Sequence, residues 1–137
     1  MPTIEPVKQA EELAQIFFSL SNAANDFRLR PEIFNRLTGA QQQQLKSQAQ
    51  ALTLRGQQCT ADALGAILQG MQPHLPAIKQ ATQGALDALS RLNDVAKGIA
   101  IMDATVALAA SIMTGDMGSI GGNVQGLIDA VGAAKQA

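Results

Sequence analysis

The chain has 137 residues, a net charge of −1 and only 3% aromatic residues, with neither Trp nor Tyr. Helix-forming Ala, Gln and Leu are abundant and strand-favouring residues are scarce, so the composition predicts one all-α domain over residues 1–137. Because charged residues are few and no basic patch exists, we expect no binding of nucleic acid through its phosphates.

The first predicted helix covers about residues 4–25. Thr3 has the side chain of an N-cap, and apolar residues then recur at spacings of three and four, as on one face of a helix. Phe17 and Phe18 are the heaviest side chains of this segment. We therefore expect both rings to anchor the core rather than to bind a ligand.

Two further helical segments are predicted in the first half of the chain. A break at Pro31 precedes a short helical turn at about 31–37, and a longer helix is predicted over about 39–71. Thr38 and Gln41 have the spacing of a capping box at the start of that longer helix. The apolar residues that the short turn should present to the bundle are Ile33, Phe34 and Leu37.

The longest predicted helix covers about residues 75–114. Core-like positions at alternating spacings of three and four continue for about five heptads, which is typical of long helices that pack side by side. Gly84 and Gly98 leave open whether this helix is continuous. The residues that define its apolar seam, as core or as interface, are Leu89, Leu92, Ile99, Val106 and Met113.

The last predicted helix covers about residues 119–134, after a turn in which Gly115 suits the left-handed position that ends a helix. Glycines interrupt its apolar stripe, and each costs about 1 kcal/mol relative to Ala. Such a helix must be held by packing or must benefit from being loose. The helix lengths together favour an elongated up-and-down bundle of about four helices, two of them long and antiparallel.

Residues for catalysis or metal binding are scarce. His74 is the only histidine and Cys59 the only cysteine, which leaves too few ligands for a zinc site and excludes an intramolecular disulfide. We interpret His74 as an exposed turn residue and Cys59 as a buried packing residue. The glycine motif of a phosphate-binding loop is also missing. The sequence therefore predicts a protein that is not an enzyme and uses no cofactor or metal.

Asp103 interrupts the apolar seam of the longest helix. An unpaired carboxylate in a protein core is costly, and two interpretations follow. In the first, the face is partly exposed, or Asp103 bonds a polar group of a neighbouring helix or Lys97 across the surface. In the second, Asp103 acts as a register device or a protonation switch. In the second case it would destabilise a buried hairpin until the pH falls.

The segment IAIMDATVALAASIMTGDMGSIGGNVQGLIDAV joins an apolar helix, a TGD turn and a glycine-rich helix. Over residues 98–134 the chain resembles the apolar helical hairpin of α-helical pore-forming toxins, which hide that hairpin in a bundle until they meet a membrane. The chain is much shorter than those toxins. Constitutive insertion is disfavoured, because Asp103 costs roughly 2.5–3.5 kcal/mol near the middle of a span.

We therefore expect a non-enzymatic helical interaction module that acts through protein–protein contact or self-association, as a homo-oligomer. The alternative that the resemblance implies is a membrane-active protein that exposes the hairpin 98–134. The N-terminal residues lack the basic and apolar regions of a signal peptide. The single cysteine fits a reducing compartment or a bacterial secreted protein without disulfides. We expect a protein that is cytoplasmic, or exported without a cleavable signal peptide.

Overall fold

A computed structural model describes residues 4–59, 64–65 and 70–135 of the chain. All regular structure in that part is helical, which confirms the all-α prediction. Six α-helices are present there instead of about four, and a 3₁₀ turn at Gln72–His74 precedes the fourth. The helices are α1 Ile4–Leu29, α2 Pro31–Phe34, α3 Gly39–Gln58, α4 Leu75–Arg91, α5 Val95–Thr114 and α6 Met117–Lys135.

The five long helices close a ring around the core. Helix α1 packs against α3, α3 against α5, α5 against α6, α6 against α4, and α4 against α1. The apolar faces that their sequence periodicity predicts are thereby buried against one another. The largest fully buried side chains are Leu13, Phe17, Leu20, Phe27, Ile33, Leu45, Leu52, Leu64, Met71, Ile78 and Leu89.

Helix α3 begins as predicted and ends earlier. The Thr38 hydroxyl accepts the backbone N–H of Gln41 at 3.0 Å, and the Gln41 side chain accepts the N–H of Thr38 at 2.9 Å, which confirms the capping box. The helix ends at Gln58, because Cys59 leaves helical geometry with ψ near 80°. Residues 60–63 and 66–69 of the predicted helix 39–71 lie outside the described part of the chain.

The short helix α2 places its two large apolar side chains in different environments. Ile33 is fully buried, whereas Phe34 is 49% exposed, so the expectation that both face the bundle is wrong. Consecutive residues of an α-helix project about 100° apart, and a single turn cannot aim both at one core. Leu37, after the helix, is half-buried against the core.

The predicted helix 75–114 is two helices. Leu92 adopts an extended conformation with ψ of 136°, and a new helix starts after Asp94, whose side chain accepts the backbone N–H of Lys97 at 3.1 Å. Neither Gly84 nor Gly98 interrupts its helix. The prediction of one long helix is therefore wrong, and the break occurs where a residue suited to capping is available.

Arg30, between α1 and α2, stabilises this break. Its guanidinium donates to the carbonyl oxygens of Leu89 and Leu92, each at 2.7 Å. These carbonyls lie at the C-terminal end of α4, where the helix cannot supply N–H partners of its own. A cation at that end also interacts favourably with the helix dipole. Arg36 adds a 2.7 Å bond to the Asn93 carbonyl.

Candidate functional site

The five predicted seam residues do not share one helix, because the break at residues 92–94 separates them. Leu89 on α4 and Leu92 in the break are buried. Ile99, Val106 and Met113 lie on α5, where they are half-buried and pack against the core. The structure thus places the first two residues in the core and the other three at its edge.

The core face of α5 is rotated away from the predicted seam. Along the chain, each residue of the buried row comes one position before a residue of the predicted repeat of threes and fours. One position corresponds to a rotation of about 100° around the helix axis. Helix α5 is apolar on nearly every side, so periodicity alone could not select between the two rows. The residues of the buried row are Met102, Thr105, Ala109 and Ile112.

Asp103 lies at the edge of the core and not inside it. Its side chain is exposed, and its Oδ1 accepts hydrogen bonds from Gln44 Nε2 at 3.2 Å and from Gln48 Nε2 at 2.5 Å. Both glutamines belong to α3, so the carboxylate connects α5 to α3. This is the bond to a neighbouring helix that the first interpretation described. A role as a switch stays a prediction.

Helix α6 begins at a well-formed cap. Gly115 has φ of 74°, the predicted left-handed position, and Asp116 follows it. The Asp116 carboxylate accepts the Ser119 hydroxyl at 2.9 Å and the Ser119 backbone N–H at 3.2 Å. These bonds, that from the hydroxyl first, hold the pKa of Asp116 below its usual value. The negative charge also suits the N-terminal end of the helix dipole.

The apolar stripe of α6 divides into a buried row and one exposed side chain. Ile128 is 44% exposed, because it lies about 100° around the helix from the buried Leu127. The buried row packs α6 against α4 and α5, its two neighbours in the ring of helices. The residues of that row are Ile120, Val124, Leu127 and Val131.

Four of the five glycines of α6 lie on its exposed side, where contacts with the described residues do not require a glycine. Gly118, Gly121, Gly122 and Gly126 are exposed. Within the described residues, a methyl group added to Gly121, Gly122 or Gly126 would meet no atom closer than 4 Å. We call the residues that share this exposed side the outer face of α6: Gly118, Gly121, Gly122, Gln125, Gly126, Ile128 and Asp129.

The buried glycines Gly56 and Gly98, in contrast, are required by the packing of their neighbours. At Gly56 on α3 an added Cβ would come within 3.0 Å of the Phe18 ring, and at Gly98 on α5 it would overlap the Phe27 ring. In both places a glycine lets an aromatic ring of α1 contact the backbone of another helix. No such ring contact accounts for the glycines on the outer face of α6.

Ile128 also lines an uncharged groove between α4 and α6. The groove has a volume of about 320 Å³, and its lining residues are Gln80, Ala81, Gly84, Ile128, Val131 and Gly132. A second groove of about 340 Å³, between α1 and α4, is bridged by an ion pair of 2.8 Å between Lys79 and Glu12. The first groove is therefore the more apolar of the two.

Helix α5 is long and apolar enough to cross a membrane, by length and composition. A stretch of 18 residues within Val95–Thr114 has a mean hydropathy of 1.6, and 44% of that stretch is buried within the protein. Helix α5 is the one helix among the described residues that meets this criterion. The core helix of a soluble protein meets the same criterion, so the observation supports either role for α5.

The described residues contain no cluster of three His, Cys, Asp or Glu side chains that could hold a metal ion. Cys59 is buried, and this burial raises the pKa of its thiol to about 11. The thiol is therefore neutral near pH 7 and a poor nucleophile. No protein-family model, curated protein or solved structure matches this chain.

Proposed function

We propose that this protein is a non-enzymatic interaction module, an elongated helical bundle that associates with itself through the outer face of α6. The observation that supports the proposal is the open space around Gly121, Gly122 and Gly126. Each of these glycines lowers helix stability by about 1 kcal/mol relative to Ala. Their close approach to a helix of another copy would offset that cost.

Self-association is expected to depend on concentration and on the glycines of α6. Sedimentation velocity should detect a dimer or larger species as protein concentration rises. Gly122→Leu is expected to weaken that association at least about tenfold, because the new side chain occupies the space for the partner backbone. Gly39→Leu is the matched control, since Gly39 also has open space around it but lies on α3.

Two outcomes would contradict this proposal. A wild-type protein that remains monomeric at every attainable concentration would overturn self-association. Equal effects of Gly122→Leu and Gly39→Leu would exclude the outer face of α6 as the contact surface. Circular dichroism of both variants confirms that they remain helical, so that a loss of association is not a loss of folding.

The second candidate function is membrane activity of the α5–α6 hairpin, which the apolar segment Val95–Thr114 favours. In that case the protein should release dye from anionic vesicles, and more at pH 5 than at pH 7 if Asp103 is the switch. The bonds that Asp103 accepts from Gln44 and Gln48 join α5 to α3, and exposure of the hairpin would have to break them. Asp103→Asn should then shift release toward neutral pH, and an unchanged pH profile would discard the switch.

A further inference from the structure

We infer that Arg30 and Arg36 lock the break between α4 and α5, and that release of this lock lets α5 and α6 exchange with those of a second copy. The exchange converts α4 and α5 into one continuous helix. It is a second mode of association and does not rest on the proposed contact through the outer face of α6. The observation that carries it is the set of carbonyl oxygens that the two arginines hold.

Arg30 holds two acceptors that a continuous helix would use. Its guanidinium donates to the carbonyl oxygens of Leu89 and Leu92, each at 2.7 Å. In an unbroken α-helix each of these oxygens accepts the backbone N–H four positions later, from Asn93 and Ala96 respectively. A helix through the break would therefore replace both bonds of Arg30.

The groups after the break are held in the same competing way. Arg36 donates to the Asn93 carbonyl at 2.7 Å. The Asp94 side chain accepts the backbone N–H of Lys97 at 3.1 Å. In a continuous helix that N–H would donate to the Asn93 carbonyl instead. The closed break and the continuous helix are thus alternative sets of hydrogen bonds for the same backbone groups, which makes the break a two-state element.

The sequence through the break suits a helix. Residues 85–97 contain neither Gly nor Pro. Core-like residues keep the spacing of three and four across the break, at Leu89, Leu92, Ala96 and Ile99. Because the local pattern favours a helix here, removal of the arginine bonds should shift the balance toward the continuous form.

One copy alone cannot keep its contacts around a continuous helix. Gly84 on α4 lies beside Val131 of α6, since a methyl group added to Gly84 would be 3.6 Å from Val131 Cγ1. The Ala107 carbonyl on α5 accepts a hydrogen bond from Asn123 of α6 at 3.2 Å. Those two positions of α6 are about 12 Å apart, whereas Gly84 and Ala107 would be about 35 Å apart on one straight helix. Helix α6 can therefore contact both only while the chain folds back at the break.

A second copy supplies the contacts that the opened chain loses. Opening separates α5 from α1 and α3, and it separates α6 from α4. The same contacts form again if α5 and α6 of one copy pack on helices α1–α4 of another, which is domain swapping. Only the break and its immediate neighbours differ between the two states, so the hydrogen bonds at the break set the balance. The occupant of the opened bundle is a second copy of this chain.

Two substitutions at the lock should favour exchange. Arg30→Met removes the charged donor to two carbonyls and should raise the association constant of the exchanged dimer at least about tenfold. Arg36→Met removes one bond of an exposed side chain, so it should have a smaller effect of the same sign and tests the lock even if Arg30→Met does not fold. Sedimentation velocity, on protein refolded from urea at high concentration and then diluted, measures the dimer. An exchanged dimer must open both breaks to separate, so it should persist after dilution.

Val95→Pro is the matched variant that should prevent exchange. Val95 is the first residue of α5, and it follows Asp94, which is extended with φ of −112° and ψ of 116°. Proline suits the first position of a helix, and an extended residue is favoured before it. In a continuous helix the same proline would lack an N–H for the Arg91 carbonyl and would clash with it. Val95→Pro should therefore fold as the wild type does and lose the persistent dimer, also when combined with Arg30→Met.

A distance within one chain identifies the state of the break. Spin labels are attached to Gln83→Cys and Ala107→Cys in a Cys59→Ala background, since Gln83 and Ala107 are exposed. The backbones at these positions should be at most about 25 Å apart in the closed chain, where both helices pack on α6, and about 36 Å apart along a continuous helix. Labelled protein is refolded with an excess of unlabelled protein, so that a dimer carries one labelled chain. The persistent dimer should show the longer distance.

The outcomes separate this inference from the proposed function. Gly122→Leu should weaken contact through the outer face of α6 and leave the exchanged dimer unchanged. A persistent dimer that retains only the shorter distance would overturn the exchange while self-association stands. The exchange is also overturned if neither arginine variant forms a persistent dimer, or if Val95→Pro does not diminish it.

Discussion

Replacing Phe27 with alanine is expected to lower the free energy of unfolding by about 3–5 kcal/mol. The ring is fully buried, and it occupies the space above the backbone of Gly98, so that it joins α1 to α5. Removing it leaves a cavity that the two helices cannot close without leaving their other partners. Urea unfolding followed by far-ultraviolet circular dichroism measures the change.

Phe34→Ala is the control for this prediction. The Phe34 ring is 49% exposed on the single turn α2, and its removal should change the free energy of unfolding by no more than about 0.5 kcal/mol. Equal losses for the two variants would contradict the placement of Phe27 in the core. The pair also separates burial from aromatic content, since each variant loses one of the four phenylalanines.

Local features of the fold were predictable from the sequence because local chemistry determines them. The capping box at Thr38 and the left-handed Gly115 each need only their own neighbours along the chain. The buried row of α6 follows from helical periodicity in the same way, because its other side is occupied mostly by glycine and polar residues, with Ile128 as the exception.

The break between α4 and α5 could not be predicted from the local pattern. Apolar residues continue through it at the helical spacing, and the groups that stabilise it come from far away in sequence. Arg30, 62 residues before Leu92, supplies the hydrogen bonds that end α4. The break then sets α5 on its own axis, and the apolar residues all around α5 let either row face the core.

The outer face of α6 was only half predictable. The sequence shows that α6 is rich in glycine, and because glycine lowers helix stability this abundance needs an explanation. Whether a glycine accommodates a neighbour within the chain or leaves space for another molecule depends on which atoms surround it. Only the structure shows that the Phe18 and Phe27 rings contact Gly56 and Gly98, whereas no described atom lies within 4 Å of a methyl group added at Gly122.

The same substitution, glycine to alanine, is therefore expected to have opposite effects in α5 and α6. Gly98→Ala inserts a methyl group into the Phe27 ring and should lower the free energy of unfolding by about 1–3 kcal/mol, because the ring is enclosed and cannot move aside. Gly126→Ala meets no neighbour and should raise the free energy of unfolding of the monomer by up to about 1 kcal/mol through helix propensity.

Urea unfolding at low protein concentration measures both changes. The free energy of unfolding should be lower than that of the wild type for Gly98→Ala and higher for Gly126→Ala. Gly56→Ala should lie between them, since the half-buried Phe18 ring that it contacts has more freedom to turn away. At high concentration Gly126→Ala should lose association while it gains stability. Both results together would support a role for Gly126 in contact with a second copy. If Gly126→Ala instead destabilised the monomer, α6 would need its glycines for folding, and the argument for its outer face would fail.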